Sequence, residues 1–201
     1  MRYFILAIEE FSETSMQEID RGHLRHEVVQ VINCVRSSLF TSFGVRKDVN
    51  VILCPINTTG RQIRIGGETL RYMGPDERSI LTLLLKSGRI STPEKRGQVE
   101  ISSPGITVER NDLPSLAAEL HDSSIFVESP EGSDLGKMGF AERVAYICPL
   151  GMKTDLREII AQFQGRTTML CNTAGINQPE KMILLINAAI DRTLSRHEMA
   201  S

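Results

Sequence analysis

Ala145-Tyr146-Ile147-Cys148 is a short apolar run flanked by charged and turn-forming residues, a pattern typical of a strand buried in a sheet. The second half of the chain repeats such runs and places helix-starting signals between them. The predicted strands are Gly105 to Glu109, Ser124 to Glu128, Arg143 to Cys148 and Arg166 to Cys171. The predicted helices begin at Asp112, Thr154 and Pro179, and a loop runs through Gly132 and Gly136. This alternation predicts an α/β fold with a mostly parallel sheet and helices on both faces.

The first half of the chain contains one long helical pattern among several strand patterns. Apolar residues at spacings of three and four predict an amphipathic helix from His23 to Phe43, ended by Gly44. Strands are predicted at Arg2 to Ile8, at Asp48 to Pro55, and on either side of a Gly66-Gly67 turn, at Gln62 to Ile65 and Glu68 to Tyr72. Ser87 to Ser103 is predicted to be an exposed loop.

Length and composition fit one globular domain over residues 1–201, because 41% of the 201 residues are hydrophobic and 24% are charged. The longest apolar runs are too short to span a membrane, and the chain begins with a strand pattern instead of a leader, so we expect a cytoplasmic protein. Four scattered cysteines without a CxxC pair suggest buried thiols, and the spacing of His23 and His26 suggests a surface pair, so no metal site is expected.

The charge is unevenly distributed along the chain. The net charge is −2, yet Arg36 to Arg96 contains eleven Lys or Arg against five Asp or Glu, a local charge of +6. Such a segment can follow a phosphate backbone, although an ordinary solvated surface would have the same composition.

Gly74-Pro75-Asp76-Glu77-Arg78-Ser79 runs directly into an apolar stretch that ends at Lys86. Pro75 suits the first helical position, and Asp76 and Glu77 put carboxylates at the positive end of the helix dipole. Taken alone, the stretch predicts a helix from Pro75 to near Gly88 and nothing more.

Three further strings accompany that stretch in a set order: Met1 to Leu6, Phe40 to Val49 and Ser102 to Val108. Together they resemble the archaeal tRNA pseudouridine-54 N1-methyltransferases, members of the SPOUT superfamily of knotted, S-adenosylmethionine-dependent RNA methyltransferases. The likeness is good to about Val108. It implies a SPOUT-type sheet with a C-terminal trefoil knot, a homodimer, tRNA as the partner and S-adenosylmethionine as the cofactor.

The resemblance also implies positions for the cofactor and the RNA. In the related enzymes three loops after successive strands hold S-adenosylmethionine, mainly through backbone groups. Carried over residue by residue, the cofactor contacts are Val127, Glu128, Leu150, Gly151, Leu170, Cys171, Asn172, Thr173 and Met182. The candidates for phosphate contacts, which belong to the matching strings or flank them, are Arg36, Arg46, Lys47 and Arg78. Arg78 could instead pair with a neighbouring carboxylate. No catalytic residue is assigned.

The sequence departs from the family pattern at three places. Cys148-Pro149-Leu150 replaces Gly-Asp-His, Asn172-Thr173-Ala174 replaces Leu-Ser-Pro, and Glu27-Val28-Val29 replaces Arg-Leu-Asp. The chain is therefore either a divergent methyltransferase that holds the cofactor by its backbone or an RNA-binding relative without turnover. A small-molecule α/β enzyme unrelated to RNA is the third alternative, and cofactor binding separates them.

Overall fold

The computed structural model describes residues 1–9, 15–56, 60–151, 156–161, 163, 168–172 and 178–198. The strands in these ranges are β1 (Arg2–Ile8), β2 (Phe40–Thr41), β3 (Gly44–Val45), β4 (Val49–Pro55), β5 (Arg61–Gly66), β6 (Val99–Ser103), β7 (Ile106–Arg110), β8 (Ser124–Asp134), β9 (Val144–Leu150) and β10 (Thr168–Asn172). The helices are α1 (Met16–Asp20), α2 (His26–Leu39), α3 (Glu77–Gly88), α4 (Leu113–Glu119), α5 (Leu156–Ala161) and α6 (Pro179–Glu198).

Eight of the described strands form one mixed sheet in the order β10-β8-β9-β1-β4-β5-β7-β6. The five strands from β10 to β4 run parallel, and β5, β7 and β6 extend the sheet in antiparallel pairings. The prediction of an α/β fold with a mostly parallel sheet is confirmed. The C-terminal trefoil knot stays a prediction, because residues 164–167 and 173–177 lie outside the described ranges.

The core has two layers, one on each face of the sheet, and β1 contributes side chains to both. Phe4, Leu6 and Ile8 belong to the cluster that packs against α2, α3 and α6. Tyr3, Ile5 and Ala7 belong to the opposite cluster, which α4 and α5 cover. Burying one large apolar side chain contributes about 1.5–3 kcal/mol, so the central strands carry much of the stability. The prediction of helices on both faces is confirmed.

The long helix predicted from His23 to Phe43 is wrong at both ends. Arg25 has the extended backbone of an N-cap, so α2 begins at His26. At the other end Phe40-Thr41 pairs with Gly44-Val45 as a small hairpin, and the Arg46 amide donates to the Leu39 carbonyl at 2.7 Å. Gly44 therefore lies in the hairpin, with φ +138°, and does not end the helix. The apolar spacing misled because Phe40 packs against the same core as α2.

Three strand or loop boundaries are also corrected. Glu68 to Tyr72 does not form a strand. β5 pairs with β7 instead, and this segment consists of turns and irregular backbone. The predicted loop from Ser87 to Ser103 ends in the edge strand β6. The strand predicted to end at Glu128 continues to Asp134, through Gly132.

The Gly74 to Lys86 stretch begins a helix as predicted, but at Glu77, two positions after Pro75. The Asp76 carboxylate accepts from the Ser79 amide at 2.8 Å, which makes Asp76 the N-cap of α3. Pro75 precedes the cap and is not the first helical residue. A capping side chain contributes about 1 kcal/mol to helix stability, so this turn is a firm start for α3.

Candidate cofactor site and RNA-facing surface

The two ends of the parallel strands define two opposite surfaces. At the carboxyl edge, Ile8 pairs with Pro55 and with Leu150. At the amino edge, Arg2 pairs with Val49 and with Val144. Ligands of open α/β sheets bind at carboxyl edges, so this is where the geometry favours a cofactor.

Leu150 and Gly151 lie at the carboxyl edge as predicted, but in a different local structure. β9 continues to Leu150, so Pro149 and Leu150 belong to the strand and not to a loop. Leu150 is buried, and Gly151 follows it with φ +62° and an exposed surface. A left-handed glycine at a strand end lets a ligand approach the backbone closely. This position therefore suits recognition of a ligand by main-chain groups.

Glu27 is a residue at this edge to which the sequence assigned no role. A Cβ built on Gly151 would lie 3.4 Å from Glu27 Cγ, so the first turn of α2 faces the end of β9. Glu27 and Gly151 are far apart in the chain, and spacing alone gives no signal of their contact. In the resemblance described above, Glu27 stands where the family pattern has the arginine of Arg-Leu-Asp, so a carboxylate replaces a cation at this position.

The other predicted cofactor residues are placed unequally. Val127 is buried opposite Ile147, and Glu128 follows it within β8, half-buried. Leu170, Cys171 and Asn172 form the end of β10, which shifts register against β8 between Leu170 and Cys171. Met182 of α6 is fully buried and belongs to the same core cluster as Cys148 and Leu150. Thr173 lies outside the described residues.

Two thiols meet beneath this edge. Cys34 of α2 and Cys148 of β9 are both buried and free. Their hydrogen bond and their burial raise the pKa of the Cys34 thiol, so it stays protonated and is a poor nucleophile. Burial likewise raises the pKa of Cys54 to about 11. The prediction of buried thiols is confirmed for these three residues.

The predicted phosphate contacts Arg46 and Lys47 lie at the amino edge, just before β4. Arg46 donates from Nη1 and Nη2 to the two oxygens of Asp191, at 3.0 and 2.8 Å, and its side chain is 19% exposed. Lys47 Nζ donates to the Gly67 carbonyl at 3.2 Å. The structure thus gives Arg46 a structural partner in α6 and leaves Lys47 the more accessible cation.

Arg36 of α2 contacts the start of α3, and Arg78 lies in the first turn of that helix. Arg36 donates from Nε to the Pro75 carbonyl at 2.7 Å, and its Nη2 lies 3.7 Å from Glu77 Oε1. Arg78 pairs with Asp20 of α1, which is the alternative that the sequence left open for it, and it stays largely exposed. Asp20, Asp191 and Glu77 were not anticipated as partners.

The two predicted sites lie at opposite ends of the sheet. β1 spans seven residues between the amino and carboxyl edges, which corresponds to about 20 Å of strand. The Arg46-Lys47 pair and Gly151 of the same chain are therefore too far apart to touch the same nucleotide.

Comparison with known proteins assigns this architecture to a family. The sequence pattern of the family described as putative SAM-dependent RNA methyltransferases matches residues 1–142. The chain belongs to this family. The match includes Val127 and Glu128 but ends before Leu150, so the methyltransferase family pattern does not reach the other predicted cofactor contacts.

Individual relatives agree with the resemblance seen in the sequence. The tRNA (pseudouridine(54)-N(1))-methyltransferase of Methanosarcina acetivorans is 39% identical over 104 residues, which cover 51% of this chain and 48% of the relative. That of Methanosarcina mazei is 32% identical over 154 residues, 76% of this chain and 62% of the relative. That of Methanococcoides burtonii is 28% identical over 170 residues, 81% of each. The chain thus matches about half the length of the first relative and about three-fifths of the second.

A solved structure shares the fold. Nep1 of Archaeoglobus fulgidus, bound to S-adenosylhomocysteine, superposes with a TM-score of 0.64 at 11% identity, covering 96% of this chain and 98% of that one. At this identity the likeness shows the fold alone.

The part of the chain that the structure describes contains neither a membrane-spanning helix nor a cluster of metal-binding side chains. None of its helices combines the length and apolar character needed to cross a bilayer. Its His, Cys, Asp and Glu side chains nowhere gather in groups of three or more that could hold a metal ion.

Proposed function

We propose that this protein is an S-adenosylmethionine-dependent RNA methyltransferase that acts on N1 of pseudouridine in the T-arm of tRNA. Membership of the methyltransferase family over residues 1–142 carries the proposal. The carboxyl edge supports it, because Leu150 and Gly151 offer an apolar wall and an open backbone at the place where α/β sheets take ligands. A cytoplasmic location and a C-terminal knot complete the proposal.

The residues at this edge fit a cofactor held mainly by main-chain groups. Gly151 would let it approach the backbone, Leu150 would lie beneath its apolar side, and Glu128 and the end of β10 would border it. S-adenosylmethionine supplies a methyl group on a sulfonium that is already a strong electrophile. The chain then needs to align the pseudouridine ring, exclude water and accept one proton from N1. Glu27 and Glu128 are carboxylates at this edge that could take part in that proton transfer.

We extend the proposal to a homodimer. α6 turns an apolar strip outward, in which Leu184, Leu185 and Ala188 are exposed at helical spacing. Phe43 at the tip of the β2–β3 hairpin is also fully exposed. A second copy of the chain that covers such surfaces would remove apolar area from water. It would also explain how RNA-binding cations at one amino edge could serve a cofactor held by another subunit.

The second candidate is an RNA-binding relative without turnover. It is favoured by Glu27, which puts a carboxylate beside Gly151 where the family pattern has an arginine, and by Pro149, which lies near the end of β9 and has no amide to donate.

A methylation assay separates the two candidates. We expect the protein to transfer radiolabelled methyl from S-adenosylmethionine to a tRNA that carries pseudouridine in the T-arm, and not to the same transcript with uridine there. The control is calorimetric titration of the protein with S-adenosylmethionine. Cofactor binding without transfer to either transcript would favour the inactive relative, and absence of both binding and transfer would contradict the proposed function.

A Gly151→Val variant should bind S-adenosylmethionine at least tenfold more weakly, which corresponds to about 1.4 kcal/mol. The new side chain would occupy the open face of the backbone, in contact with Glu27. Calorimetry on the folded variant measures the change. Gly22→Val is the matched control, since Gly22 also has a positive φ, of +68°, but open space around it. Equal dissociation constants for Gly151→Val and the wild type would place the cofactor elsewhere.

A further inference from the structure

The segment from Gly67 to Asp76 joins β5 to α3 at the amino edge, and it contains Tyr72, whose exposure and backbone conformation are unusual. Leu70 and Met73 of this segment are buried in the core. Between them Arg71 is exposed and Tyr72 is 82% exposed. The other two tyrosines, Tyr3 and Tyr146, are buried, so Tyr72 is the tyrosine that faces solvent.

Tyr72 adopts a backbone conformation that favours glycine. Its φ is +65°, and among the non-glycine residues that the structure describes it is the one with a positive φ. A bulky aromatic residue is rare in this region, and a glycine or asparagine would fit it with less strain. The local backbone therefore gives no reason for an aromatic side chain, and neither does the core, because the ring is outside it.

The surrounding contacts hold this conformation in place. The Arg71 amide donates to the Pro104 carbonyl at 3.3 Å, and the Gly74 amide donates to Ser79 Oγ at 2.6 Å. Gly105 packs so closely beneath Leu70 that a Cβ would lie 2.4 Å from the Leu70 Cα. Because the segment is anchored on both sides, the backbone at Tyr72 has little freedom to lose on binding.

Two cations bind this segment, one near each end. Arg36 donates to the Pro75 carbonyl at 2.7 Å, and Lys47 donates to the Gly67 carbonyl at 3.2 Å. Two of the four residues predicted to contact phosphates thus hold the two ends of the segment that carries Tyr72. Of the nearby carboxylates, Asp76 caps α3 and Glu77 faces Arg36, while Glu68 is exposed.

We infer that Tyr72 is a stacking platform for an unpaired RNA base, with Arg71 beside it on the adjoining phosphate. An exposed aromatic ring on an anchored backbone, in a segment whose two ends are bound by cations, suits recognition of single-stranded RNA, because every base has a face that can stack. The inference rests on the proposed function. The stacked base is not the one methylated in the same subunit, because Tyr72 lies at the amino edge, about 20 Å from the carboxyl edge.

Binding of two RNA probes tests the platform. The first is a T-arm hairpin with its unpaired loop, and the second is a blunt duplex of the same length. Tyr72→Ala should bind the hairpin about tenfold more weakly than wild type, a change of about 1.4 kcal/mol. Tyr72→Phe should bind like wild type, because stacking needs the ring and not the hydroxyl. The duplex should not distinguish the variants, and Ile101→Ser, at a side chain 76% exposed on β6, is the control for loss of exposed apolar surface.

Salt dependence and fluorescence distinguish stacking from a charge effect or a structural effect. Tyr72→Ala should leave the slope of log affinity against log salt unchanged, whereas Arg71→Ala should make it shallower by about 0.7. The chain has no tryptophan, so RNA should quench a tyrosine emission that Tyr72→Phe lacks. Tyr72→Gly should melt at no lower a temperature than wild type, because glycine removes the strain of a positive φ at this position.

The outcomes separate this inference from the proposed function. If wild type binds the hairpin and Tyr72→Ala binds it equally well, the platform is wrong and the function stands. If Tyr72→Ala instead changes the oligomeric state in sedimentation, the ring contacts protein and the inference is overturned. If wild type binds cofactor but neither RNA, both the platform and the RNA substrate are wrong.

Discussion

Gly105→Ala should be strongly destabilised, losing about 3 kcal/mol or more of the free energy of unfolding. Two separate effects combine at this position. The φ of Gly105 is +80°, a conformation that costs an L-residue roughly 1–2 kcal/mol. In addition, the new Cβ would lie 2.4 Å from the Leu70 Cα and 2.5 Å from the Leu70 nitrogen. These are backbone atoms that cannot rotate away, so the segment that carries Tyr72 would have to move.

Gly97→Ala isolates the first effect. Gly97 has φ +77° and nothing within 4 Å of an added Cβ, so it measures the conformational cost without the collision. Urea unfolding of both variants gives the comparison, and the difference between them reports the packing beneath Leu70. Equal losses for the two variants would mean that Gly105 matters only through its own backbone.

The contact between Gly105 and Leu70 also gives a physical reason for part of the family resemblance. Gly105 lies in the Ser102 to Val108 string, and Leu70 lies just before the Gly74 to Lys86 string. The structure brings the two together, with the Gly66 amide donating to the Gly105 carbonyl at 2.8 Å. Strings that read separately in the sequence thus form one packed turn at the amino edge.

The fold could be predicted from sequence where burial dominates. β1 is a continuous apolar run because both its faces are covered, and the boundaries predicted for it are the ones observed. The edge strand β6 escaped prediction because it is paired on one side, leaving Val99 and Ile101 exposed within a charged segment. Glu68 to Tyr72 misled in the opposite direction: its apolar residues alternate like a strand, but Tyr72 has a left-handed backbone.

The candidate site could be predicted only in outline. The resemblance located Leu150 and Gly151 at a strand end, and the carboxyl edge is where the structure has them. The partners of these residues depend on tertiary contacts instead. Arg46 and Asp191 are 145 residues apart in the chain, and no local pattern links them. The same holds for Glu27 and Gly151, which meet because α2 returns across the sheet.

Asp191→Ala should lower the free energy of unfolding by about 2–3 kcal/mol, because it removes the carboxylate shared by two guanidinium groups. Arg2 Nη2 donates to Asp191 Oδ1 at 2.6 Å, and Arg46 binds both oxygens. Arg2 is only 4% exposed and would keep Asn187 and Asp48 as partners. The expected loss is below that of a fully buried pair, since Asp191 itself is 41% exposed.

Asp122→Ala is the matched control for this ion pair. Asp122 lies 3.1 Å from Arg143, and both side chains are about as exposed as Asp191. A surface pair of this kind contributes about 0–1 kcal/mol. Urea unfolding should therefore rank the two variants clearly, and a loss for Asp191→Ala no larger than for Asp122→Ala would show that the network at the amino edge is not a source of stability.

Acid should abolish the advantage that Asp191 confers. Burial alone would raise the pKa of the Asp191 carboxyl, but hydrogen bonds from Arg46 and Arg2 outweigh it and hold the pKa below the ordinary value of 3.8. A depressed folded-state pKa contributes stability above the unfolded pKa and loses it as the pH falls through the folded pKa. The gap in unfolding free energy between wild type and Asp191→Asn should thus be constant near neutrality and shrink below about pH 4. A gap that stays constant into acid would assign the stabilisation to hydrogen-bond geometry and not to the charge. Because Arg46 is a predicted RNA contact, the loss of stability in Arg46→Ala must be measured beside its RNA affinity before any phosphate contact is assigned to it.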